Sequence, residues 1–193
     1  GGQGHPGGDP APGHRTRGGG GVEGRRIRGC VGQALQVEDQ LLQGLVTGDI
    51  HKLVDVGSGQ VNTAVNVKGR LVTDLRLMHV DDMLVIDFEP GMIADGALVH
   101  FKRNIINEDA KLIDRSAKTA RILVAGARAV ELLNDVTVKL AKPFAKVDTY
   151  GASWGQIAGH DVIFQKVPFV AEMAFDLYVD IAAQHDVWRA LFD

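Results

Sequence analysis

GQVNTAVNVKGRLVTDLRLMHVDDMLVIDF, residues 59–88, decides the fold of this chain. Val61, Thr63, Val65 and Val67 alternate with small or polar residues, the period-two signature of a half-buried strand. Lys68-Gly69 then offers a tight turn, in which Gly69 can take the positive φ that a side chain would resist. Leu71, Thr73, Leu75 and Leu77 share one face of the returning strand, which runs to His79. Asp81-Asp82 marks a second turn, and residues 83–88 form a third, more apolar strand. Three consecutive strands on hairpin-length connections point to an antiparallel sheet, not to a doubly wound parallel one.

Working outward, residues 36–47 place Val37, Leu41, Leu42 and Leu45 at helical spacing, with Gly48 as the stop. Pro90-Gly91 breaks the third strand, and a helix is predicted over 92–104 with Ile93, Ala97, Leu98 and Phe101 inward. Strands follow at 110–114 and 121–124, then a short helix at 127–133. Residues 134–147 carry no clear period, and Pro143 interrupts them. Strands return at 162–165 and 173–179, and a helix over 181–192 turns Ile181, Val187, Trp188 and Leu191 inward. The fold class is α+β, with antiparallel sheets and packed helices.

Composition sets the bounds. Apolar residues make up 45% and charged residues 23%, an ordinary globular mix. No apolar run approaches the roughly 18 residues that span a bilayer, so no membrane segment is expected. Cys30 is the single cysteine, which excludes an internal disulfide and points to a reducing, cytoplasmic setting. A net charge of −3 carries no nucleic-acid footprint. Residues 1–29 stand apart, holding 12 of the 24 glycines and five arginines against Asp9 and Glu23. Such a segment buries too little apolar surface to offset its chain entropy, so it is expected to be disordered, with 30–193 as the folded domain. It reads more simply as a linker or tag than as an Arg/Gly arm for nucleic acid.

Searches for familiar chemistry come back empty. There is no phosphate-cradling P-loop and no dinucleotide fingerprint opening a helix. Seven histidines and one cysteine make no zinc spacing, so no metal is expected. Gly151-Ala152-Ser153-Trp154-Gly155 matches G-x-S-x-G, but its flanks lead into a strand, not into the strand–turn–helix that a nucleophile elbow needs.

Four segments, in order, resemble a known family. Residues 41–50, LLQGLVTGDI, are similar to its "FLQG-L-T-D-V" helix and exit, and residues 66–75, NVKGRLVTDL, to its "N-x-x-G-R-x-x-x-D-L" hairpin. Residues 122–133, ILVAGARAVELL, are similar to its strand, "G-P-x-A" and helix. Phe175 to Val179 with Val187 to Leu191 is similar to its "F-E-L-Y-V … W-x-A-L". The family is the aminomethyltransferase (glycine cleavage T-protein) superfamily, including the folate-binding YgfZ proteins. Family members run well beyond this length, so the chain is expected to be truncated before the later folate-binding segment.

The resemblance implies a tetrahydrofolate-binding protein with Asn66, Thr73, Asp74, Asp87 and Glu172 at the cofactor. In the transferases the hairpin reads "D-D-L"; here it reads Thr73-Asp74-Leu75, with a hydroxyl where the first carboxylate stands. A hydroxyl is no base near neutral pH, and Asp74 points to the opposite face from Thr73. Asp87 could accept hydrogen bonds from the pterin amino group. The family's "T-G-Y-T-G-E" turn is replaced by residues 167–172, VPFVAE, and only Glu172 is retained. These departures imply a YgfZ-like folate binder that supports iron–sulfur client proteins. An active aminomethyltransferase using Asp74 or Asp87 is the alternative, and a folate-free interaction module on the same fold is a third reading. The YgfZ mark, K-G-C-Y-x-G-Q-E, has only a chance look-alike at residues 28–33, RGCVGQ.

Overall fold

The structure, a computed structural model, describes residue 1 and residues 33–36, 42–81, 83–88, 96–104, 111–169 and 172–192. Residues 2–29 of the expected disordered segment, Cys30, Asp82 and the helix start at 92–95 lie outside the described residues.

Among the described residues, two five-stranded antiparallel sheets carry the fold. The first contains β1 (Gln33–Gln36), β2 (Gly59–Val65), β3 (Leu71–Val80), β4 (Met83–Phe88) and β5 (Lys111–Ile113), in the order β2-β3-β4-β1-β5. The second contains β6 (Thr119–Ala125), β7 (Thr137–Val138), β8 (Ala152–Ile157), β9 (His160–Phe169) and β10 (Glu172–Asp180), in the order β6-β10-β9-β8-β7. Helix α1 (Ala97–Asn104) covers the outer face of the first sheet, where Phe101 meets Phe88 at a ring separation of 5.4 Å. Helices α2 (Ala129–Val136) and α3 (Gln184–Ala190) cover the second, burying Leu133 and Val187 among Phe144, Phe164, Phe175 and Leu177. The α+β reading with antiparallel sheets holds.

The 59–88 hairpin forms as its sequence requires. Asn66 builds the turn: its side-chain Oδ1 accepts from the N–H groups of Lys68 and Arg70 at 2.9 and 3.1 Å, and Gly69 takes φ 69°. Gly59 is glycine for a different reason. A Cβ there would overlap the carbonyl oxygen of Tyr150, in the turn that leads into β8, so only a bare backbone allows that close approach.

Several local expectations move. On β2 the buried positions are Asn62 and Ala64, while Val61 is 52% exposed. The cause is tertiary: the strand turns Asn62 and Ala64 to the covered face and leaves Val61 at the open margin between the sheets. Gln36 ends strand β1, which pairs with β4 and β5, and does not start a helix; of the predicted 36–47 helix, residues 37–41 lie outside the described residues. Strand pairing on two sides outweighs the helical spacing there. The last helix is shorter than predicted, and Ile181 and Trp188 are about half exposed while Val187 and Leu191 pack inward. The helix at 127–133 begins two residues later, at Ala129, and runs on to Val136.

Candidate functional site

Strand pairing decides which residues can meet. Leu75 lies opposite Phe88 and Arg76 opposite Asp87, so alternate residues of β3 and β4 share faces. Thr73, Leu75, Leu77, Ile86 and Phe88 therefore face α1. Asp74, Arg76, Met78, Val85 and Asp87 face the second sheet. From that sheet Arg121, Gln165, Asp176 and Tyr178 point back, because Gln165 pairs with Asp176 and Arg121 with Tyr178.

These side chains form a polar cluster in a layer that would ordinarily be apolar. Arg76 binds Asp87 Oδ2 at 2.9 Å and Asp176 Oδ2 at 2.6 Å. Arg121 reaches the same Asp87 Oδ2 at 3.0 Å. The Tyr178 hydroxyl donates toward Asp87 Oδ2 at 3.2 Å and toward Gln165 Oε1 at 2.9 Å, while Gln165 Nε2 donates to the Tyr150 carbonyl at 3.1 Å. Three donors thus converge on one oxygen of Asp87. Its other oxygen, Oδ1, is buried and has no hydrogen-bond partner among the described residues.

Asp87 itself is 1% exposed. Burial pushes its carboxyl up to about 6, against the pull of Arg76, Arg121 and the Tyr178 hydrogen bond. Burial, and then the Asp87 charge, likewise raises the Tyr178 phenol well above its ordinary value, so it stays a neutral donor. A buried acceptor without a partner carries a desolvation cost that an incoming N–H or O–H would remove.

Beside this cluster lies a cavity of about 330 Å³, lined by Val61, Asp74, Arg76 and Asp87 from the first sheet and by Tyr150 and Pro168 from the second. That volume suits a small-molecule ring system. Asp74 stands at its exposed margin, where its Oδ1 accepts from the Thr63 hydroxyl at 2.9 Å.

The structure thus brings Asp74 and Asp87 to one cavity and separates them from Thr73. Thr73 is 1% exposed on the α1 face, and its hydroxyl donates to the Asp74 carbonyl at 2.9 Å. The Asn66 side chain is occupied by its own turn. Glu172 opens β10 opposite Phe169, next to the cavity-lining Pro168. Ser153 sits within β8, where its hydroxyl accepts from the Lys142 N–H at 3.0 Å and donates to the Lys142 carbonyl at 2.9 Å, with no nucleophile elbow. Sequence reasoning missed Arg76, Arg121, Asp176, Gln165 and Tyr178. A signal was present: Arg76 lies between Leu75 and Leu77, Asp87 between Ile86 and Phe88, and Asp176 between Phe175 and Leu177. Charges inside apolar strands must find one another or a ligand.

With this geometry in view, comparisons with known proteins are specific. A family model described as "GCVT N-terminal domain" matches residues 37–193. The aminomethyltransferase of Exiguobacterium sibiricum is 27% identical over 154 residues, covering 79% of this chain and 41% of that protein. The aminomethyltransferase of Cutibacterium acnes is 25% identical over 145 residues, covering 71% and 38%. The crystal structure of glycine cleavage system aminomethyltransferase T from Bartonella henselae superposes with a TM-score of 0.59 at 16% identity, over 88% of this chain and 46% of that one, which shows a shared fold. The chain spans about two-fifths of the length of the curated relatives it matches.

Proposed function

The chain belongs to the GCVT N-terminal domain family, and from that premise we propose that the cavity at Asp74 and Asp87 binds a reduced folate, tetrahydrofolate or a one-carbon derivative. The observation that carries the reading is the orphaned Asp87 Oδ1. It is a buried acceptor, fixed by three donors on its sister oxygen, at the wall of a cavity large enough for a pterin ring. The pterin amino group supplies the missing donor. Glu172, the carboxylate that the family resemblance puts at the cofactor, opens β10 opposite Phe169, next in sequence to the cavity-lining Pro168. Residues 30–193 act on this reading as one folate-binding domain.

When bound, tetrahydrofolate would supply the nitrogen that takes up a one-carbon unit. The protein's part is orientation and charge. Asp87 anchors the ring, Arg76 and Arg121 hold Asp87, and Asp74 places a carboxylate at the cavity mouth. A carboxylate there can stabilise a charged amine and exchange a proton with it.

The geometry also bears on the branch. The YgfZ-like reading, with its iron–sulfur clients, rests on Thr73 replacing an acidic residue. Thr73 faces α1, so its hydroxyl does not stand in the cavity, and Asp74 does. That favours folate-dependent aminomethyl transfer as the activity of the whole protein. Among the described residues no helix is long and apolar enough to cross a membrane. The cytoplasm, where such cofactors are used, is the proposed location.

Titration with 5-formyltetrahydrofolate, followed by the fluorescence of Trp154 and Trp188, tests the binding claim. Saturable quenching is expected; a linear, non-saturating response overturns it.

A further inference from the structure

A second cavity, of about 440 Å³, opens at the other end of the space between the sheets. Its floor is apolar, formed by Val80, Met83, Val162 and Ile163, with the Trp154 ring along one side. Tyr178 separates it from the first cavity, lining this one while donating toward Asp87 in the wall of the other. Neither the folate reading nor any relative's name assigns it a ligand.

Its charges are arranged asymmetrically. Asp81, Asp161 and Asp180 lie exposed at the rim. Asp161 uses Oδ1 to accept from Gln156 at 2.8 Å, and Asp180 uses Oδ1 to accept from the Ala182 N–H at 2.9 Å, which anchors both. The single cation of the lining is Arg115, in the loop between β5 and β6. Its Nε is buried and has no hydrogen-bond partner among the described residues. Nothing in the described structure explains why a guanidinium N–H should be desolvated there unpaired, which is a cost that an incoming acceptor would remove.

Each simple ligand class fails on one of these features. A phosphate or other multiply charged anion meets three rim carboxylates around one guanidinium. A plain amine satisfies the rim but leaves the Arg115 Nε–H orphaned. A purely apolar molecule does neither. A zwitterion satisfies both: its carboxylate pairs with the Arg115 fork, its ammonium faces the acidic rim, and a short apolar side chain lies on the floor beside Trp154. The volume is within the range of small-molecule sites. We propose that this second cavity binds a free amino acid with a short apolar side chain, held by Arg115 through its carboxylate and by the aspartate rim through its ammonium group. The site is independent of the folate cavity and stands or falls without it.

The test uses L-leucine as the probe, with isoamylamine and 4-methylpentanoate as the two half-molecules. Binding is read by titration calorimetry and by the indole N–H resonance of Trp154 in a two-dimensional NMR spectrum. L-Leucine is expected to saturate in the millimolar range and to shift the Trp154 signal, while neither half-molecule matches it. Arg115→Gln, at a residue with no ion pair among the described residues, should weaken leucine binding about tenfold or more, the worth of one charge-assisted hydrogen-bonded contact, and leave 5-formyltetrahydrofolate binding unchanged. Absence of saturation, equal binding of 4-methylpentanoate or isoamylamine, or full binding by the Arg115→Gln protein would each overturn the assignment.

Discussion

Arg76 and Asp87 stand directly opposite one another on β3 and β4 and form a 2.9 Å ion pair, on the sheet face that Thr73 does not share. Both the stability of this layer and the proposed folate contact turn on that pair. Asp87 is held by donors on one oxygen only, so it is expensive to keep ionised and ready to accept a hydrogen bond on the other.

Asp87→Asn should therefore separate stability from function. The amide oxygen is drawn to Arg76, Arg121 and Tyr178, which puts the amide NH₂ where Oδ1 was and turns an acceptor into a donor. Because the carboxyl titrates above its ordinary value even with both arginines beside it, the ionised form is the costlier one, and the neutral variant should be more stable at pH 7 by about 1–2 kcal/mol. Urea denaturation monitored by circular dichroism measures this. A variant less stable than the parent at pH 7 would mean that the ion pairs outweigh the burial.

The same residue sets a pH dependence whose sign is fixed. The folded carboxyl titrates at about 6 and an unfolded one near 3.9, so between these values the native state binds more protons than the unfolded state. Stability from this group is highest below the unfolded value, falls as pH rises toward 6, and is level above it. The parent and Asp87→Asn should thus match near pH 4 and diverge by pH 7, with the parent the less stable. A constant difference across that range contradicts the shift.

Tyr178→Phe removes the hydroxyl that donates toward Asp87 and Gln165. Two buried acceptors lose their shared donor, at a cost of about 1–2 kcal/mol. Because that hydrogen bond favours the carboxylate, the Asp87 titration should also move upward. Denaturant midpoints and the carboxyl ¹³C shift of Asp87 against pH read the two effects separately, and a downward move would refute the assigned bond.

Gly59→Ala tests the close approach of β2 to the turn that leads into β8. Its methyl would overlap the Tyr150 carbonyl, and the backbone has no far end that can swing away. The cost should be about 2–3 kcal/mol, that of overpacking a tight contact, whereas Gly69→Ala meets open space and pays only for its positive φ. Equal thermal midpoints for the two variants would contradict the geometry.

Much of the fold was legible because it is local. The alternation of β3 and β4, the Asn66–Gly69 turn and the Asp81 reversal are written in residues that touch their own neighbours in sequence. What was not legible depends on distant partners. Asn62 rather than Val61 is buried because the segment around Gly48 lies against that face of β2. Gln36 is a strand residue because Lys111 of β5 pairs with it. The cluster itself joins positions about ninety residues apart, such as Asp87 and Tyr178, and no spacing rule links them. Motif position picked out both Thr73 and Asp74, and alternation put them on opposite faces; which of the two faces carries the cavity is visible only once the sheets are assembled.

The most direct test of the central claim is the dissociation constant for 5-formyltetrahydrofolate in the parent, Asp87→Asn and Thr73→Val proteins, measured side by side by titration calorimetry. Asp87→Asn should weaken binding about tenfold or more, the worth of a hydrogen bond to a charged group, while Thr73→Val, on the opposite face, should match the parent. Equal binding by Asp87→Asn, or a loss in Thr73→Val as large as in Asp87→Asn, would contradict the placement of the folate between the sheets.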